Sequence, residues 1–390
     1  MQKFSIIIFL CIFPAICHSQ NSMNDLISKS EKRMDKILDR YDKKKQEIFS
    51  DYDKRQARIM AEYNEFCNRI MKKWGDTSMI ESTRKEWVEY SHNEDSRTIV
   101  DFEEGTVKVE VLRSPSEDDG ETQKRIEEAL GDLMASKGKS PGFESEVIPQ
   151  EDLSDTPVLE DQIDLSDYPE AIDDPADLVK EIVGKEEKEK RTVQTEDGHK
   201  EIIAISLKLV PDHILRRAEK FKDIIHRHAV RFSVNEPLIY AIIEQESFFN
   251  PAARSHVPAY GLMQIVPKSG GLDANRYVHN RDVIPSASYL YDPDNNIELG
   301  TGYLKKQMEV YFKGVTDPSC RMLCAIAAYN TGQGNVYYAL TGKRTKSNAI
   351  IKINSMKYDQ LYTHLKRNLP HNETRDYIEK VTTKIKKYIE

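Results

Sequence analysis

From about Asn24 to Trp74 the chain repeats itself every eleven residues. Apolar pairs recur at Ile37-Leu38, Ile48-Phe49, Ile59-Met60 and Ile70-Met71, and aromatic residues at Tyr41, Tyr52, Tyr63 and Trp74. Eleven residues fill three helical turns almost without remainder, so such a pattern draws a nearly straight apolar stripe along one helix. Neither Pro nor Gly interrupts the stretch before Gly75. The spacing therefore predicts a single helix on the order of 75 Å long, at about 1.5 Å per residue. Charged residues fill many of the intervening positions. A charged helix of this length needs something to cover its stripe. Two readings stay open: an arm that spaces or self-associates, or a solvated helix packing weakly on the rest of the chain.

Beyond the repeat the pattern changes. Residues Arg97 to Phe102 and Thr106 to Val111 alternate apolar and polar across a Glu103–Gly105 turn, the signature of a hairpin. A helix is expected from Thr122 to Ala135, with Ile126, Ala129, Leu130 and Leu133 on one side. Residues Ser136 to Asp174 are rich in Ser, Pro, Asp and Glu and read as a long exposed loop. A helix over Ala176–Val183 and a returning strand over Glu201–Val210 complete a small α+β domain without evident chemistry. From Asp212 onward the chain reads as helices: Ile214 to His228, one capped by Asn235, one from Asp292 through Tyr311, one from Asp317 through Tyr329, a short one at Gly334–Leu340 and a last from about Glu373 to Tyr388. A Pro follows the Asp292 and Asp317 caps, as the first helical turn allows.

The chain has 390 residues and a formal net charge of -8, which speaks against a nucleic-acid binder. Its first residues read as an export signal over 1–19: Lys3, then a short apolar run from Ile6 to Ile16, then small residues before Gln20. Cleavage after Ser19 is the preferred expectation, with lipidation of Cys17 and membrane association as the alternative. Cys67, Cys320 and Cys324 form no disulfide or zinc pattern and read as small buried hydrophobes.

The chemistry concentrates between Ile242 and Ile265. On a helix begun by Asn235 and Pro237, Leu238, Ile239, Ile242 and Ile243 form one apolar stripe, and Glu246 falls near its centre. A lone carboxyl on an apolar face stays protonated near neutral pH and can donate a proton. Glu244 points almost to the opposite side and is expected to be solvated. A structural Glu in a salt bridge is the competing reading for Glu246.

The segments ESFFNPAARS, GLMQIVP, YDPDNNIELGTGYL, AAYNTGQGNV and ETRDYIEKV occur in this order from Glu246 onward. Together they resemble the lytic murein transglycosylase family with a goose-type lysozyme-like domain, over roughly Leu207 to Tyr388. The upstream stretch IESTRKEWVEYSHNEDSRTIVDFEEGTVKVEVLRS resembles the amino-terminal domain of the membrane-bound branch of that family designated C. With the readings above, the resemblance gives an α+β chain with four parts: the signal over 1–19 and the long helix over 20–75, on which it says nothing, then a small α+β domain over 76–206 and an all-α catalytic domain over 207–390. It implies that Glu246 acts first as acid and then as base on the glycan strands of peptidoglycan, with a sugar hydroxyl as internal nucleophile and no cofactor. It also implies that Ser247, Gly261, Met263, Gln264, Tyr329 and Asn330 form the substrate cleft and that the Tyr377 hydroxyl points to the acid. Plain packing or capping roles remain open for Ser247, Met263, Asn330 and Tyr377. Glu373 and Arg375 are expected to pair with each other. Ser269 to Ala287 matches no motif, and His256 and His279 carry no role. The alternatives are a lysozyme-like hydrolase that uses the same acid with an activated water, against which the absence of a convincing second carboxylate speaks, and a non-catalytic wall-binding scaffold, which would not need Glu246.

Overall fold

The computed structural model describes residues 20–389 other than 141, 142, 144, 170, 171, 173, 256 and 257. The export-signal, Cys17 and His256 readings lie outside the described residues. The chain divides into two compact units, Met1–Tyr52 and Asp53–Glu390.

The repeat forms one helix, Gln20–Trp74. In the first unit its stripe residues Met34, Ile37 and Leu38 are exposed. In the second unit the same stripe is covered: Ile59, Ile70 and Trp74 are buried in a core shared with the later helices. No helix among the described residues is long and apolar enough to cross a membrane.

A five-stranded antiparallel sheet follows, ordered Glu86–Tyr90, Ser96–Asp101, Thr106–Arg113, Gly198–Lys208, Glu189–Thr195. Period-two alternation decides which residues share a face. Val100, Phe102, Val107, Val109, Val111, Ile203 and Ile205 face the helices Asp119–Ala135 and Pro175–Lys185 and close a small core with Ile126, Leu130 and Ile182. On the opposite face Leu112 and Ile202 join the larger core beside Trp74. There a buried ion pair, Arg97 Nε to Glu110 at 2.7 Å, lies with its guanidinium 4.2 Å from the Trp74 ring. The hairpin and returning strand match expectation. The outer strands Glu86–Tyr90 and Glu189–Thr195 were not anticipated, because charge masks their alternation.

The Ser-, Pro- and acid-rich stretch is not an exposed loop. Phe143, Ile148, Leu153, Val158, Leu159, Ile163 and Tyr168 are all buried. Sparse apolar residues at about five-residue intervals staple an otherwise polar segment to both cores, which average composition hides.

The remainder is helical. Asn235, Asp292 and Asp317 accept hydrogen bonds from the N–H groups of Leu238, Asn295 and Cys320, so each cap forms as its side chain dictates. Helix Ile214–His228 is in fact two, His213–Lys220 and Lys222–Phe232, broken at Phe221. The unmatched Ser269–Ala287 region contains helix Leu272–His279. The helices Lys346–Asn354 and Tyr358–Asn368 add to the expected set. Cys67, Cys320 and Cys324 are free and buried.

Candidate active site

Helix Glu236–Ser247 crosses the core with Leu238, Ile239, Ile242 and Ile243 fully buried, and it carries Glu246 to the floor of a cleft of about 790 Å³. Glu246 is 7% exposed. The Tyr377 hydroxyl, on helix Asn372–Lys387, donates to Glu246 Oε1 at 2.7 Å. The Arg84 guanidinium stands 3.6 Å from Oε2. Burial is the largest influence and pushes the carboxyl up to about 7, while the Tyr377 bond and the Arg84 charge pull it down and Glu373 adds a small upward push. Burial, followed by the nearby Glu246, raises Tyr377 and Tyr329 well above the ordinary phenol range, so both are hydrogen-bond donors at neutral pH.

The wall beside the acid is built from the GLMQ segment. Gly261 has φ +72°, and a Cβ there would lie 2.4 Å from the Leu290 carbonyl oxygen, so only glycine fits this close backbone approach. Asn296 Oδ1 accepts from Met263 N–H at 2.7 Å, and its Nδ2 donates to the Tyr260 and Leu290 carbonyls. Ser247 Oγ lies 2.8 Å from the Leu262 carbonyl oxygen and joins this loop to the acid helix. Gln264 donates to the Ala253 and Gly261 carbonyls at 3.0 and 2.9 Å, which leaves its buried Oε1 unpaired. Tyr329 donates to the Met263 carbonyl at 2.8 Å, and Asn330 Oδ1 accepts from Thr374 at 2.6 Å.

Glu246, Gln264, Tyr329 and Asn330 line the cleft. Ser247, Gly261, Met263 and Tyr377 stand behind its wall. Met263 is fully buried, its sulfur against Gly300, where a Cβ would come within 2.3 Å. Two expectations fail. Glu244 is not solvated: it is 5% exposed and bonded by Lys384 at 2.9 Å, Lys387 at 3.1 Å and the Tyr388 hydroxyl, because the last helix covers that side. Arg375 does not pair with Glu373: it donates to the Leu369 carbonyl at 2.7 Å, and Glu373 instead lines the cleft. His279 bonds Glu298 at 3.0 Å. Arg84, Asn296 and Thr374 escaped the sequence reading: each lies within a stretch that carries the family resemblance, but nothing in its immediate neighbours points to a role at the acid.

A buried carboxyl with a raised pKa, bonded by a phenol and opening on a cleft, is an arrangement able to give a proton to a molecule bound there. Comparisons with known proteins bear on the same point. Residues 223–352 match the Transglycosylase SLT domain, and residues 38–164 match the Membrane-bound lytic murein transglycosylase C, N-terminal domain. The membrane-bound lytic murein transglycosylase C of Klebsiella pneumoniae is 32% identical over 324 residues, covering 81% of this chain and 85% of that protein. The protein of the same name from Sodalis glossinidius is 32% identical over 321 residues, with the same coverage. Among solved structures, the 70 kDa soluble lytic transglycosylase of Escherichia coli shares 26% identity over 45% of this chain and 25% of its own, with a TM-score of 0.35. The chain belongs to the membrane-bound lytic murein transglycosylase C family.

Proposed function

We propose that the protein cleaves the bond between N-acetylmuramic acid and N-acetylglucosamine in peptidoglycan and closes a 1,6-anhydro ring on the muramyl product. Protonated Glu246 gives its proton to the glycosidic oxygen as the bond from the muramyl C1 breaks, and positive charge develops at C1. The resulting carboxylate then takes the proton of the C6 hydroxyl while that oxygen bonds to C1. Atoms balance without water, and Glu246 ends protonated. One group serves as acid and base best when its pKa lies near the working pH.

The observation that carries this reading is the environment of Glu246: 7% exposed, raised to about 7 and bonded at 2.7 Å by Tyr377. Gln264, Tyr329 and Asn330 line the same cleft and are our candidates for sugar contact. Ser247, Gly261 and Met263 shape the wall behind them. Glu81 and Glu373 also line the cleft, but both are exposed, which gives neither the sheltered setting of a second catalytic acid. The chemistry as written uses no cofactor. We further propose export to the periplasm through the segment 1–19, with lipidation at Cys17 as the alternative, and domain limits near 76–206 and 207–390. The exposed apolar positions at Ile37 and Leu38 suit self-association through the long helix.

The test is mass spectrometry of products from peptidoglycan incubated with the wild type and with Glu246→Gln. Muropeptides ending in 1,6-anhydro-N-acetylmuramic acid, absent with the variant, are expected. Reducing ends would instead assign a hydrolase, and activity in the variant would sink the role of Glu246.

A further inference from the structure

Arg84 reaches the acid from outside the helical domain. It belongs to the segment leading into strand Glu86–Tyr90 of the sheet, and that segment is held at several points. Thr83 Oγ1 accepts from the N–H groups of Lys85 and Glu86 at 3.2 and 3.0 Å. Ser82 exchanges two hydrogen bonds with the Val88 backbone, at 3.0 and 3.1 Å. The Tyr90 hydroxyl bonds both the N–H and the carbonyl of Ile80, at 3.2 and 3.1 Å. The buried Arg97 also donates to the carbonyl of Ser78. The backbone on either side of Arg84 is therefore tied to the sheet.

The sheet is in turn fixed to the acid helix. Arg217, 1% exposed, donates to the carbonyl of Phe248 just past that helix at 3.0 Å, to Phe102 at the sheet at 3.1 Å and to Gln162 at 2.8 Å. A buried guanidinium that satisfies three acceptors from three segments locks their relative positions.

The groups facing the Glu246 carboxyl are Tyr377 and Glu373 from the last helix, Tyr329 from helix Pro318–Thr331, and Arg84. Arg84 is the one cation among them. Tyr377 donates to Oε1, and we assign Oε1 as the accepting carbonyl oxygen of the protonated acid and Oε2, the oxygen beside Arg84, as the one that carries the proton. A guanidinium has donors only and cannot receive that proton. The proton must turn away from Arg84, and the open direction is the cleft. Once the proton has left, the same guanidinium faces a carboxylate.

We infer that Arg84, supplied by the sheet domain, is a positioning residue for the proposed catalytic acid: it turns the Oε2 proton of Glu246 into the cleft and steadies the carboxylate that remains. This rests on the acid–base reading of Glu246. It gives the sheet domain a part in the chemistry itself, beyond walling the cleft.

The experiment compares Arg84→Gln and Arg84→Lys in the full chain, following anhydromuropeptide release across pH beside a carbon NMR titration of the Glu246 carboxyl. Arg84→Gln removes a charge that favours the carboxylate. Its rate is expected to fall roughly tenfold. The basic limb of its pH profile should move upward by about half a unit, a modest shift because the charge is partly hydrated. Arg84→Lys keeps the charge and should hold the limb near the wild-type position. A limb that stays put in Arg84→Gln, whether the rate is unchanged or lowered uniformly, overturns the inference, as does an equal shift in both variants. The NMR titration reads the same displacement without turnover, so an inactive variant is still informative. An inactive Glu246→Gln with an unmoved Arg84→Gln limb removes this inference alone. An active Glu246→Gln removes the reading beneath it.

Discussion

Glu244 and Glu246 stand two residues apart on one helix, are both buried, and have carboxyls displaced in opposite directions. Burial acts on each to raise its pKa. At Glu246 burial prevails and the group reaches about 7. At Glu244 burial is outweighed by Lys384, Lys387 and the Tyr388 hydroxyl, which hold the carboxyl below its ordinary value. The helix Asn372–Lys387 and the residue after it create both outcomes, presenting a neutral phenol to Glu246 and two ammonium groups to Glu244. One carboxylate is thereby a structural anion and the other an available acid.

The raised pKa of Glu246 has a consequence for stability. The folded protein binds this proton more tightly than the unfolded chain does, so the associated stability is complete below the ordinary value of 4.5 and is lost as pH rises through about 7. Its upper size is of order 3 kcal/mol. Glu246→Gln has no such proton. Its Tm relative to wild type should therefore increase between about pH 5 and pH 8, read by thermal unfolding at several pH values; a constant difference would contradict the raised pKa.

Tyr377→Phe removes the donor at Oε1 while preserving the ring. A hydrogen bond to a charged group contributes about 1.5–3 kcal/mol. Because this bond favours the carboxylate, its loss should move the basic limb of activity to higher pH and lower kcat by roughly ten- to a hundredfold, with a small change in Tm. The pH–rate profile and the thermal unfolding curve check the two halves.

Glu244→Gln should do the reverse. It strands Lys384, whose side chain is 17% exposed, and Lys387, at 35%. Breaking a buried ion pair costs about 3–5 kcal/mol, and the exposure of Lys387 reduces this to about 2–3 kcal/mol. The lowered pKa of Glu244 means its stabilisation is present above the ordinary carboxyl value and disappears as pH falls. The Tm deficit of the variant should therefore narrow on acidification, while anhydromuropeptide release below its Tm stays near wild type.

Gly261→Ala tests the floor of the wall. The new methyl would meet the Leu290 carbonyl oxygen at 2.4 Å from a backbone at φ +72°. Backbone cannot swing aside as a flexible side chain does, so a loss of more than about 2 kcal/mol is expected, with a lower kcat as the Gln264 segment shifts. Calorimetry and turnover should fall together.

Much of this was legible locally. The eleven-residue spacing determined a long helix, because an uninterrupted stripe at that period is compatible with little else. The caps Asn235, Asp292 and Asp317 marked helix starts, since a short polar side chain can satisfy a helix N–H without distant help. The stripe through Leu238, Ile239, Ile242 and Ile243 singled out Glu246, and the ordered motifs pointed to its family.

What the tertiary structure decided depends on partners far along the chain. The sequence put Glu244 in solvent because it lies off the aliphatic stripe of its own helix; a helix more than a hundred residues later covers it and supplies the counter-charges. The same distance hid Arg84, whose significance arises where the sheet domain meets the helical one, and Arg217, which holds that meeting in place. Periodicity and capping report a residue's immediate surroundings. Burial of a charge, the direction of its pKa and the identity of its partner are set by whatever packs against it, and that is fixed only when the chain has folded.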